Sequence, residues 1–311
     1  MKPFTGLTTD VFAAYSPEKW SSNVHNLPRM RAKDAALSLC DNAQAKLAEE
    51  LSGLDRGASD EVPNMSNHKK VDAQWVYWYR DQVARAALAK FLEKTPLVQE
   101  EIFNLAPYEK HVSVAVVIRQ TELWLGLRIG AQAVVDRRNA AAKLQKAWER
   151  ETMLAHLAEF PEGSVLGKEG AHVAAETMNL DTLEEHAKHL AEKDVAWIVG
   201  HTIPAAEAID LGVDLADHVA RWMGACLPLY RFLAWTRDND HIDVGRQLAE
   251  DKAQKRRQAT GYNPGDRVRI ISGLFAGKAG VVQDVDTKAQ VKIRVGKMSV
   301  VVPGIDLTTA T

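Results

Sequence analysis

The chain carries 10 His, 41 Asp and Glu, and 39 Lys and Arg, and their spacing decides which of them could act together. His186 and His189 lie three apart in a helical pattern, Glu185 lies four before His189, and His172 has Glu176 four after it. On one helix face such pairs supply two metal ligands, but a site needs a third or fourth that converges from elsewhere. A solvated helix explains the same pattern, so neither a metal nor a cofactor is expected. An active site in this region would have to gather His172, His186, His189, His201 or the carboxylates of Asp210, Asp214 and Asp217 into one pocket.

Other near-motifs fail on spacing. Gly163 and Gly167 before Lys168 are one residue too close for a phosphate-binding loop, and Glu169 stands where Ser or Thr would hold Mg²⁺. Asp238, Asp240 and Asp243 approximate a Ca²⁺ loop, but Ile242 occupies a ligand position, so a helix cap or a turn is the expected role. No GxSxG, HExxH or strand-borne GxGxxG is present. The question of enzymatic activity stays open, with the balance against it.

Two groups of residues suit polyanions or bases. Trp75, Tyr77, Trp78 and Tyr79 precede Arg80 and could stack bases, although core packing of one helical face is the preferred reading. Near the C-terminus, Arg267, Arg269, Lys292 and Arg294 alternate with apolar residues, so all four should project outward from adjacent strands, with Lys278 and Lys297 close by. Solvation of an outer face and contact with nucleic-acid phosphates both account for them.

The elements that position these residues follow from periodicity. Residues 29–54 read as a helix, 55–70 as a loop, and 71–94 as a second helix in which Trp75 and Trp78 share a face. Alternating apolar residues over 111–119 and 122–129 predict a β-hairpin. Asp136 is placed as the N-cap of a helix over 137–159, and 163–170 reads as a loop. Helices are expected over 181–193, 204–235, with a kink or split at Pro228, and 243–258. Beyond Gly261, Asn263, Pro264 and Gly265 the period is two, and four short strands describe a small antiparallel barrel, with Gly296-Lys297 as a two-residue turn. The fold class is therefore α+β, a mainly helical body over 1–258 containing one hairpin, then an all-β barrel over 259–311.

Charge divides the same way. From Lys252 onward 11 Lys and Arg face 4 acids, an excess of +7 within a chain whose total is -2, so the remainder carries -9. Hydrophobic residues make up 46% and charged ones 26%, which excludes a disordered or collagen-like chain. The 2 cysteines, Cys40 and Cys226, show no paired spacing, as expected in a reducing compartment. The stretch from Trp222 to Trp235 is too short and too interrupted to span a bilayer, and residues 1–12 show no secretory pattern. A cytoplasmic location is expected.

The segment opening with Gly265 and Val268, with Gly273-Leu274-Phe275, Gly280 before Val281 and Val282, and a closing Leu307, resembles the KOW motif. Over 266–307 it is similar to the SH3-like barrel that ends transcription elongation factors of the NusG family. The resemblance implies docking to a ribosomal or transcription protein through Gly273, Leu274 and Phe275, or RNA binding through Arg267, Arg269, Lys278, Lys292, Arg294 and Lys297. Phe275 itself is either a plug for the open barrel end or an exposed anchor. The preceding 250 or so residues lie outside the resemblance.

Overall fold

A computed structural model describes residues 3–65, 67–92, 105–191, 195–243, 261–286 and 290–310. The chain divides into two compact units, Met1–Ile242 and Asp243–Thr311. The expected boundary at 258/259 and residues 244–258 of the helix expected over 243–258, with its Lys252 to Arg257 cluster, fall outside the described residues.

The body is built on a sheet of seven strands rather than on helices alone. In chain order it contains α1 (Thr9–Ala13), α2 (Asn26–Gln44), β1 (Leu54–Ala58), β2 (Gln74–Arg80), α3 (Gln82–Leu92), α4 (Pro107–Lys110), β3 (Val112–Ile118) and β4 (Glu122–Ile129). There follow α5 (Val134–Leu144), α6 (Ala147–Ala158), β5 (Val165–Lys168), β6 (Ala171–Ala174), α7 (Leu180–Ala191), β7 (Trp197–Pro204), α8 (Ala205–Asp210) and α9 (Leu215–Leu233). The strands are ordered β1-β2-β3-β4-β7-β5-β6 and every pairing is antiparallel. The expected hairpin is β3–β4, at the centre of this sheet.

One sheet face carries Val76, Trp78, Val114, Val116, Leu125, Leu127 and Val199 and packs against α2 and α9, whose Leu39, Val219, Met223 and Leu227 complete the main core. The other face carries Tyr77, Ala115, Val117, Trp124 and Ile198, with Trp75, Tyr79 and Tyr108 of α4 packed on them. The Trp124 indole lies along the sheet. A Cβ on Gly126 would come within 2.1 Å of its ring and one on Gly200 within 2.5 Å. Glycine at both positions lets the ring lie flat.

Burial on both faces explains the largest departure from expectation. Residues 74–80 form a strand, not part of a helix over 71–94, because aromatic residues pack on either side of it. Strict apolar–polar alternation marks only strands with one wet face, so a doubly covered strand lacks that mark. The helix expected over 29–54 ends at Gln44, and Leu54 opens β1, an edge strand rich in polar residues inside the expected loop. The expected loop at 163–170 holds β5, which pairs with β6 and β7.

Other boundaries shift for local reasons. Asp136 is not an N-cap: α5 begins at Val134, and the Asp136 carboxylate is buried in its first turn. There it pairs with Arg80 and accepts the backbone N–H of Trp235 at 2.8 Å and of Val112 at 3.3 Å. The helix expected over 137–159 is two, α5 and α6. The segment 204–235 divides at a short 3-10 turn, Gly212–Asp214, and α9 runs unbroken through Pro228, which lies on its exposed side.

The second unit is a five-stranded antiparallel sheet of β8 (Arg267–Ile270), β9 (Ala279–Val285), β10 (Gln290–Val295), β11 (Met298–Pro303) and β12 (Leu307–Thr309), ordered β11-β10-β9-β8-β12. Val268, Ile270, Val282, Val285, Val291, Ile293, Val302 and Leu307 form its core. Gln283 is skipped where Val282 pairs with Ile293 and Asp284 with Lys292. This bulge turns both Val282 and Val285 inward although they are three residues apart. The turn joining β10 to β11 is Gly296-Lys297, with Gly296 at φ +62.

Candidate partner-binding surface of the barrel

Alternation on β8 and β10 places Arg267, Arg269, Lys292 and Arg294 on the outer face, and all four are exposed. They are not on adjacent strands, because β9 runs between β8 and β10. Val281 pairs with Arg267 on one side and with Arg294 on the other, so the two arginines flank a small apolar residue in one row across three strands. At ordinary strand spacing their Cα atoms stand about 10 Å apart. Lys292 pairs with Asp284 in the next row. None of the four cations makes an ion pair with a described residue. Lys278, at the end of the β8–β9 loop, and Lys297, in the β10–β11 turn, are also exposed.

The β8–β9 loop is drawn tight by backbone bonds from Gly277 N–H to Ile270 C=O (2.7 Å) and from Ala276 N–H to Gly273 C=O (3.1 Å). Gly273 and Gly277 take φ of +83 and +81, the left-handed region open to glycine at little cost. This geometry folds Phe275 back onto the barrel core, where it is half-buried. Its neighbour Leu274 is left 94% exposed.

Leu274 has apolar company that the spacing argument missed. Ile271 donates its backbone N–H to Asp306 C=O at 2.8 Å, and the Ser272 hydroxyl bonds the Asp306 carboxylate. These bonds hold the end of β8 against the turn before β12, where Ile305 is 86% exposed. Ile271 and Ile305 thus share the end of the barrel from which the Leu274 loop leaves. The signal for Ile271 was present: it follows the inward Ile270 directly and must face outward.

In the body the residues weighed for catalysis do not converge. His172 lies exposed on β6, whereas His201, opposite Leu125, faces the helix layer beside Gly163. His186 and His189 meet on α7 with ring centroids 6.2 Å apart, and burial lowers the pKa of His186. Asp210, Asp214 and Asp217 are exposed, the last paired with Lys46. Among the described residues no group of three or more His, Cys, Asp or Glu could hold a metal ion. Residues 237–239 and 241–242 form bends after α9, with the Asn239 side chain donating to carbonyls of Phe232 and Ala234. Trp75, Trp78 and Tyr79 do not share a helical face: Trp75 and Tyr79 lie on one side of β2 and Trp78 on the other. Among the described residues, no helix is long and apolar enough to cross a membrane.

The KOW motif matches residues 264–295, which span β8, the glycine-containing loop, β9 and β10. No curated protein sequence matches the chain significantly.

Proposed function

We propose that the chain is a two-part, non-enzymatic binding protein whose barrel docks onto an RNA-containing assembly of the translation or transcription machinery. The body would then regulate or scaffold that contact. KOW motifs occur in ribosome- and RNA-associated proteins, and the matched residues include Arg267, Arg269, Lys292 and Arg294. The observation that carries the reading is the set of these four exposed cations, none of which makes an ion pair with a described residue. Phosphates displace counterions from such a surface, so affinity falls steeply with salt. Anisotropy titrations of the full chain with single-stranded RNA between about 50 and about 200 mM salt test this. Arg267→Ala and Lys292→Ala should each reduce the salt slope by about 0.7. RNA binding that is absent, or indifferent to both substitutions, refutes it.

A second reading rests on the exposed Ile271, Leu274 and Ile305. An apolar tip beside cations fits a protein component of the same assembly, as the resemblance to NusG-type barrels suggests. Leu274→Asp should then abolish recovery of ribosomal or polymerase proteins in a pulldown while leaving RNA affinity unchanged.

A further inference from the structure

The aromatic face of the body sheet holds a groove unrelated to the barrel's surface. Two adjoining cavities, of about 370 and about 550 Å³, are both bordered by Trp75, Arg119 and Glu169. Trp124 walls the first, and Tyr108, stacked on Trp75 with centroids 4.5 Å apart, walls the second. Volumes of this size with aromatic walls and a few directed polar groups are typical of small-ligand sites.

The polar groups have hydrogen-bonding capacity left. Arg119 donates one N–H to Glu122 Oε1 at 2.9 Å, which leaves Glu122 Oε2 and the other guanidinium donors open. Arg128, buried behind them, bonds Glu169 only through Oε2, at 3.1 and 3.4 Å, which leaves Oε1 open. The side chains of His172 and Thr202, also on the first cavity, have no hydrogen-bond partner among the described residues.

Charge narrows the ligand class. The first cavity sets Arg119 against Glu122 and Glu169, and the second sets Lys70, Arg119 and Arg128 against Asp72, Glu109 and Glu169. Neither has the cationic excess that a phosphate or nucleic-acid ligand requires. A ligand amine or guanidinium would in turn meet Arg119 and Arg128, which already hold one oxygen each of Glu122 and Glu169 and lie 5.9 and 5.5 Å from the Trp75 ring. Each carboxylate beside a guanidinium instead presents an acceptor and a donor to one point. A hydroxyl group both donates and accepts and satisfies the two together. Tryptophan and tyrosine rings add apolar surface for the C–H face of a sugar ring.

We propose that this groove binds an uncharged carbohydrate, with one ring against the partly exposed Trp75 and its hydroxyls on Arg119, Glu122 and Glu169. Isothermal titration of the full chain with maltotetraose, cellotetraose and chitotetraose tests this, with ATP and spermidine as charged comparators. At least one oligosaccharide should bind saturably and quench indole fluorescence. Trp75→Ala should abolish that binding. Arg119→Ala and Glu122→Gln, at partly exposed positions where misfolding is not expected, should each weaken it about tenfold or more while the thermal melt stays unchanged. The proposal is overturned if none of the three sugars binds, if ATP or spermidine binds instead and is lost in Trp75→Ala, or if sugar binding ignores Arg119→Ala and Glu122→Gln.

Discussion

Arg80 and Asp136 in the body are 4% and 1% exposed and form a buried ion pair, whereas Arg267 and Arg294 in the barrel are exposed and make no ion pair with a described residue. The same side-chain chemistry is put to opposite use. In the body, charge organises the fold: Asp136 ties β3, α5 and the end of α9 together through two backbone N–H groups and Arg80. Arg29, fully buried, likewise donates to the carbonyls of Lys19, Ser22 and Glu61. Asp136 and Arg29, buried with their hydrogen bonds made inside the fold, have little left for a ligand, and an exposed cation contributes little to stability. In the barrel the aliphatic core holds the fold and the cations remain available.

Substitutions should separate these two uses of charge, and all 8 tryptophans precede residue 243, so indole fluorescence reports on the body alone. Asp136→Ala should have the largest effect. It leaves Arg80 buried without its counter-ion and two N–H groups unsatisfied, at a cost of about 3–5 kcal/mol in urea denaturation. A loss below about 1 kcal/mol would show that the body does not depend on this pair.

Acid should come next. His111, stacked on Tyr79, has its pKa lowered from 6.5 to about 4, first by burial and then by Arg80. The folded state holds it neutral while the unfolded chain takes up a proton. Stability is therefore full above about pH 6.5 and falls as the pH drops toward 4, by about 3 kcal/mol from this residue. His111→Gln should flatten the stability–pH curve over that window, and an unchanged slope would assign the loss to other groups. Gly200→Ala pushes a methyl group into the Trp124 ring and should cost about 1–3 kcal/mol with a shift in tryptophan emission.

The smallest stability effect is expected in the barrel. Arg267→Ala with Arg294→Ala should leave its thermal melt, followed by backbone circular dichroism, within about 0.5 kcal/mol of the parent. A larger loss would mean that these cations serve the fold as Arg80 does, and the contrast between the units would fail.

The barrel was the most legible part of the sequence. One side of each strand is wet, so Val268 and Ile270 alternate with Arg267 and Arg269, and the outward cations follow directly. Even there, spacing could not show that β9 separates β8 from β10, because strand order is a matter of long-range pairing. The hairpin β3–β4 was legible because Val112, Val114, Val116 and Ile118, then Leu123, Leu125, Leu127 and Ile129, recur at every second position, but its neighbours were not. β2 is covered on both sides, β5 is only four residues long, and β7 ends directly in α8. Each of these loses the one-sided period on which sequence reading depends.

By itself, then, the sequence determined the α+β class, the break in charge between an acidic body and a basic tail, and a KOW segment with cations facing outward. These follow from local periodicity and composition. Only the tertiary structure decided that seven strands join into one sheet, that Phe275 folds inward while Leu274, Ile271 and Ile305 remain exposed, and that Trp75, Arg119 and Glu169 meet in a groove. The groove residues are up to 94 positions apart, and no short-range pattern records contacts made when distant strands pair.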